Sequence, residues 1–243
     1  MTFKPDRLDH GALRARSHER VTFGTERGLV LDGAWLPASS SAAVLFIHGN
    51  KHNMTKFGEH YQLFAEIGLS CFAFDFPGYG RSTGAPSEDA LYQSAHAAYA
   101  HLTTTLQYHP RDILVYGCSL GGAVAIELAR HVQPAALITE ATFTNTHEMG
   151  RFLLPYLPLW KLLPKRFEND RKVGQISTPH MIIHGEDDSI VPIHMAHSLF
   201  SLAHEPKHLV TVPKAGHTDS LTVGGDSLKD SIVGFTRAAL NNY

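Results

Sequence analysis

Short unbroken apolar runs recur along this chain, and most of them end in glycine or in a residue with chemistry to offer. The runs are Ala43–Ile47, Leu69–Asp75, Ile113–Tyr116, Ala136–Thr139, His180–Ile183 and Leu209–Val212. Runs of this length without polar alternation predict strands covered on both faces, as in a mostly parallel sheet. Ahead of them, Val21–Thr25 and Gly28–Leu36 flank Glu26-Arg27-Gly28 and read as an antiparallel hairpin. Helices are predicted from Thr55 to Ile67 and from Ser87 to Leu106, the second with Ser87 as cap and Glu88 and Asp89 in its first turn. A third starts at Leu120, where Ala123, Val124, Ile126, Leu128, Ala129 and Val132 leave almost no polar face. Residues 1–20 carry charges of both signs and no apolar run, so they are expected to be a loosely held arm and neither a signal nor a transit peptide. The pattern as a whole predicts an α/β fold: a mostly parallel eight-stranded sheet with an antiparallel N-terminal hairpin and helices on both faces. Residues 21–243 then make a single domain, with a cap insertion at about 143–178.

Composition narrows the partners. With 243 residues, 43% hydrophobic and 18% charged, the chain has the makeup of a globular domain able to bury a sizeable core. A formal net charge of -2 gives no electrostatic reason to expect nucleic acid. The 17 histidines are scattered, and no H-E-x-x-H or Cys/His pair has metal-ligand spacing, so no metal is expected. Cys71 and Cys118 fall at apolar strand positions and read as buried reduced thiols. Together with the missing leader, they lead to the expectation of a cytoplasmic protein.

The chemistry centres on Val115-Tyr116-Gly117-Cys118-Ser119-Leu120-Gly121-Gly122. This is a G-x-S-x-G nucleophile elbow in the strand–turn–helix setting the pattern requires. A serine on so sharp a turn takes a strained backbone, and residues two places either side must lack bulk for strand and helix to approach. A glycine-rich turn with no catalytic role would share those features, so the remaining members of a triad must also be present, in the order Ser, Asp/Glu, His. At the end of Ala43–Ile47, His48-Gly49-Asn50 is placed to supply an oxyanion donor: the Asn50 N–H would act with that of Leu120. His48 reads as a structural hydrogen-bonding residue. So do Asp75 and Arg81 in the tight loop Asp75-Phe76-Pro77-Gly78-Tyr79-Gly80-Arg81-Ser82.

Taken in order, His-Gly-Asn, Asp-x-Pro-Gly-x-Gly-x-Ser and Gly-x-Ser-x-Gly-Gly resemble the α/β-hydrolase superfamily, most of all its small-capped Bem46-like and ABHD-type serine hydrolases. The likeness runs from about Val21 onward. It implies the α/β-hydrolase fold, an acid after a late strand and a histidine near the end. His184-Gly185-Glu186-Asp187-Asp188-Ser189-Ile190-Val191-Pro192 is similar to the family's H-G-x-x-D-x-x-V-P loop and puts the acid at Asp188. Asp187 is the second candidate and Glu140 the third. Lys214-Ala215-Gly216-His217 supplies the base.

Ser119, Asp188 and His217 would then hydrolyse a small-molecule ester or thioester through an acyl-enzyme, with no cofactor. Substrate choice falls to the cap, where Phe152, Leu153, Leu157 and Trp160 are candidates to line an apolar acyl pocket. The same apolar stretch is compatible with a plain cover over the domain, with contact to a membrane surface, or with a second subunit. Two other functions share the motifs: a small peptidase or amidase, and a catalytically idle scaffold used as a binding module. Fold and motifs leave the oligomeric state open.

Overall fold

The computed structural model describes residues 2–14, 16–156, 160, 162 and 164–241. The strands are β1 (Glu19–Gly24), β2 (Val30–Leu36), β3 (Ala43–Ile47), β4 (Ser70–Phe74), β5 (Ile113–Cys118), β6 (Ala136–Glu140), β7 (His180–Gly185) and β8 (Lys207–Val212). They form one sheet in the order β1-β2-β4-β3-β5-β6-β7-β8. The pairings of β2 with β1 and with β4 are antiparallel, and every other pairing is parallel. Around the sheet lie α1 (Gly58–Glu66), α2 (Glu88–Ala100), α3 (Leu120–Ala129), α4 (Thr146–Leu153), α5 (Asn169–Lys172), α6 (Ile193–Leu202) and α7 (Ser220–Asn241), the last broken at Gly225.

The unbroken apolar runs have a direct cause. Along β3, Ala43, Leu45 and Ile47 point into one core, with residues of α2, α3 and α6. Val44 and Phe46 point into another, with residues of α1 and α7. In β5 the same split places Ile113 and Val115 on the first face and Leu114 and Tyr116 on the second. Successive side chains on a strand point to opposite faces, so a strand covered on both sides has no position where a polar residue is free of cost.

Three local features differ from the periodicity. The helix expected from Thr55 to Ile67 divides into a short 3-10 turn, Met54–Lys56, and α1, because the Asn53 side chain caps the turn by accepting from the Thr55 N–H. Downstream of its Ser87 cap, α2 widens into a π turn at His101–Thr105, where the Thr104 hydroxyl bonds back to the Ala100 carbonyl at 2.7 Å. The pattern gave no assignment to α6 or α7. Scattered polar residues dilute the apolar face of the first, and Gly224-Gly225 interrupts that of the second.

The N-terminal arm is pinned to the body, contrary to the loose segment expected. Gly80 N–H donates to the Asp6 carbonyl at 2.8 Å and Ala12 N–H to that of Thr55 at 2.9 Å. Asn53 Nδ2 donates to the carbonyls of Asp6 and Leu8 at 3.0 and 2.8 Å. The Phe3 ring meets Phe167 edge to face. No amphipathic period marks this docking, because the contacts run through main-chain groups and lone side chains.

Candidate active site

The parallel strands bring their carboxyl ends to one rim of the sheet, and the candidate residues lie on the loops that leave that rim. Ser119 follows β5 with φ 53° and ψ -114°, a left-handed conformation that L side chains rarely adopt. The turn is held from below by the Ser119 N–H, which donates to the Glu140 carbonyl at 2.7 Å. Any side chain at Gly117 would overlap the Gly121 carbonyl, and one at Gly121 would overlap the Ile47 carbonyl. Both glycines are therefore required by close approach.

A hydrogen-bonded relay runs outward from the serine. His217 Nε2 lies 3.0 Å from Ser119 Oγ, and its Nδ1 lies 2.8 Å from Asp188 Oδ2. The Nδ1 proton therefore goes to the carboxylate, which leaves Nε2 as acceptor for the serine hydroxyl. Asp188 is buried, and its other oxygen accepts from the Ile190 and Val191 N–H groups at 2.8 and 2.9 Å. Burial alone would push its carboxyl up. Hydrogen bonds from His184 and His217, the charge of His217 and the Val191 N–H outweigh that and hold it well below the ordinary carboxylate range.

The three acids weighed from sequence part company here. Asp188 stands behind His217. Asp187 is exposed and meets the fold through its backbone, donating its N–H to the Ala215 carbonyl at 2.9 Å. Glu140 points under the elbow into a closed polar cluster: Oε2 accepts from His60 Nε2 and Tyr116 OH, both at 2.8 Å, and from Cys118 Sγ at 3.5 Å. Burial works against its ionisation, but the charge and hydrogen bond of His60, with Tyr116 and Cys118, bring its carboxyl down to about 2. Sequence reasoning missed His60 and Tyr116 because 80 and 24 residues separate them from Glu140. It also missed His184, whose Nε2 sits 3.3 Å from Asp188 Oδ2, four residues earlier near the end of β7. That spacing was the available signal.

The loop after β3 lies against the elbow, since a Cβ on Gly49 would come within 3.5 Å of the Ser119 Cβ. His48 is fully buried; its Nε2 accepts the Phe76 N–H at 3.2 Å, so Nδ1 carries the proton and donates to the Gly49 carbonyl at 2.7 Å. Burial pushes this imidazole down to about 4. Asn50 is gripped by its side chain, which accepts from the Lys4 N–H at 3.2 Å and Tyr79 OH at 3.0 Å and donates to the Thr2 carbonyl at 3.0 Å. Leu120 is the first residue of α3, and amides in a first helical turn lack intrahelical acceptors.

In the insertion expected to form a cap, Phe152 and Leu153 end α4 with 41% and 61% of their surface exposed. Trp160 folds back on that helix, its ring 5.7 Å from the ring of His147. Leu157 lies outside the described residues. Both cysteines are free and buried. Among the described residues, no helix is long and apolar enough to cross a membrane.

The sheet order, the strained serine and the helices on both faces define an α/β-hydrolase. The chain belongs to the Hydrolase_4 family, described as serine aminopeptidase, S33, which it matches over residues 38–169, just over half its length. Rv2307c, an uncharacterised protein of Mycobacterium tuberculosis, is 35% identical over 215 residues, or 87% of this chain and 76% of the relative. The lysophosphatidylserine lipase ABHD12 of Danio rerio is 32% identical over 194 residues, which cover 70% of this chain and 50% of that lipase. The Pyrococcus furiosus esterase Pf2001 has the same fold, with a TM-score of 0.81 at 20% identity over 98% of this chain and 99% of its own.

Proposed function

We propose that this chain is a serine hydrolase of carboxylic esters or thioesters, acting through Ser119, His217 and Asp188. The observation that carries this reading is the continuous relay of 3.0 and 2.8 Å from hydroxyl to imidazole to carboxylate. In the first half-reaction, Ser119 Oγ bonds to the acyl carbon while its proton passes to His217 Nε2, and Asp188 balances the imidazolium. The N–H groups of Asn50 and Leu120 receive the developing oxyanion. Collapse breaks the bond to the leaving alcohol or thiol, which departs with the proton from His217. A water then enters on the same base, releases the acid and restores the serine.

An apolar acyl group, met by Phe152, Leu153, Leu157 and Trp160, fits the composition of the cap, and the relative ABHD12 is a lysophosphatidylserine lipase. The family description favours a second reading, cleavage of an N-terminal residue from a peptide. Fluorophosphonate labelling of the purified protein, but not of Ser119→Ala, is the expected result; equal labelling of both overturns the nucleophile assignment. Turnover of p-nitrophenyl esters of increasing chain length, compared with aminoacyl anilides, separates the two readings. A strict preference for acetyl would refute the acyl pocket, and anilide turnover matching that of esters would favour the peptidase.

A further inference from the structure

The docked arm brings Asp6 and His10, four residues apart, together with His52, which no local spacing announces. Asp6 Oδ2 lies 2.7 Å from His10 Nε2 and 3.2 Å from His52 Nδ1. The two imidazoles meet edge to face with centroids 4.7 Å apart, and one ligand atom from each of the three residues lies within 4.8 Å of the other two. Around a tetrahedral zinc ion, with bonds of about 2.0–2.1 Å to nitrogen and oxygen, ligand atoms stand roughly 3.3 Å apart. Only a small opening of the group is needed to admit such an ion.

The surroundings already hold the ligands in place. The second oxygen of Asp6 accepts the Leu8 N–H at 2.9 Å, which leaves Oδ2 facing both imidazoles. His10 is tied by its own N–H to Thr55 Oγ1 at 2.9 Å, and Asn53 Nδ2 bonds the carbonyls of Asp6 and Leu8. Outer hydrogen bonds of this kind orient metal ligands. The Leu8 N–H, helped by His10 and His52 and opposed by burial, brings the Asp6 carboxyl down to about 2, so it is an anion at neutral pH. The three side chains are 19%, 19% and 29% exposed, which gives an entry path and room for water on the outer side.

We propose that Asp6, His10 and His52 bind a divalent transition-metal ion of the zinc type, with water completing its shell. Two imidazole nitrogens and one carboxylate select such an ion over magnesium or calcium, which prefer all-oxygen sites. On binding, His10 Nε2 and His52 Nδ1 turn their lone pairs to the ion, and each imidazole carries its proton on the other ring nitrogen. The ion joins residues 6 and 10 of the arm to residue 52, two places beyond Asn50. It therefore fastens the arm across the loop assigned to the oxyanion.

The test is thermal unfolding of EDTA-stripped protein with added ZnCl2, alongside isothermal titration calorimetry. At a zinc concentration about 100 times the dissociation constant, Tm should rise by roughly 5–10 °C with one ion bound per chain. His10→Ala and His52→Ala should each lose that rise and weaken binding at least about tenfold, and MgCl2 should give none. His217→Ala and Cys118→Ser should keep it, since they remove a ligand from the relay and from the buried His60–Cys118–Glu140 group, the other three-residue cluster of ligand atoms among the described residues. Should either alanine variant not fold, Asp6→Asn tests the third ligand. The proposal is overturned if zinc leaves Tm unchanged, if both histidine variants respond like the wild type, or if magnesium matches zinc.

Discussion

Replacing Asp188 by Asn changes one atom's chemistry and leaves the volume intact. In the wild type, Oδ1 is occupied by the N–H groups of Ile190 and Val191 at 2.8 and 2.9 Å, and Oδ2 faces His217 Nδ1 at 2.8 Å with His184 Nε2 at 3.3 Å. The two loop N–H groups and His217 each offer a proton. The His184 N–H, which goes first to the Val191 carbonyl at 2.8 Å, faces the same oxygen as His217, so the site is built for a group that only accepts. An amide has one oxygen to place. If it stays on the two loop N–H groups, its NH2 faces His217 Nδ1, favours the tautomer protonated at Nε2, and leaves no acceptor for the serine proton. If it turns to His217, two loop donors meet an NH2, at a cost of about 1–3 kcal/mol for each unpaired donor. The first arrangement is the cheaper one, so tautomer loss is the expected outcome. The loss in kcat/KM should be about 10³–10⁴-fold, or roughly 4–5.5 kcal/mol of transition-state stabilisation. Steady-state hydrolysis of p-nitrophenyl butyrate reads this directly, with the exposed neighbour Asp187→Asn as a control expected to stay within about threefold. If Asp188→Asn keeps more than about a tenth of wild-type activity, the assigned acid is wrong.

Two further perturbations probe the frame. Glu140→Ala removes the acceptor shared by His60, Tyr116 and Cys118 and should cost roughly 3–5 kcal/mol, seen as a lower urea midpoint; Glu140→Gln, which keeps a carbonyl oxygen, should cost less. Equal stability of Glu140→Ala and the wild type would mean that the cluster is not bonded as described. Burial raises the Asp75 carboxyl to about 7, against the pull of the Met54 N–H that it accepts at 2.7 Å. The folded chain then keeps this proton where an unfolded aspartate has lost it, so the associated stability is present below about pH 4 and is lost as pH rises through 7. Asp75→Asn should abolish that decline, about 1.4 kcal/mol per pH unit, in a pH series of unfolding midpoints. An unchanged slope would refute it.

Local chemistry settled a good deal. The glycines at 117 and 121 are demanded by atoms that would collide, and such demands are written into short spacings that any reader of the chain can see. The strand runs were legible because both faces of the sheet are covered, which leaves no room for polar alternation. The sequence also reduced the candidates for the acid to three residues and for the base to His217. Tertiary structure had to decide the rest. Asp188 meets His217 across 29 residues, and His217 meets Ser119 across 98, at distances set by the order of parallel strands and not by anything near those positions. The same is true of Glu140, whose partners come from α1 and β5, and of the arm, whose Asp6 and His10 find His52 only once the chain has closed. Periodicity reports which face of an element is buried. It carries no information about which polar group waits on the other side.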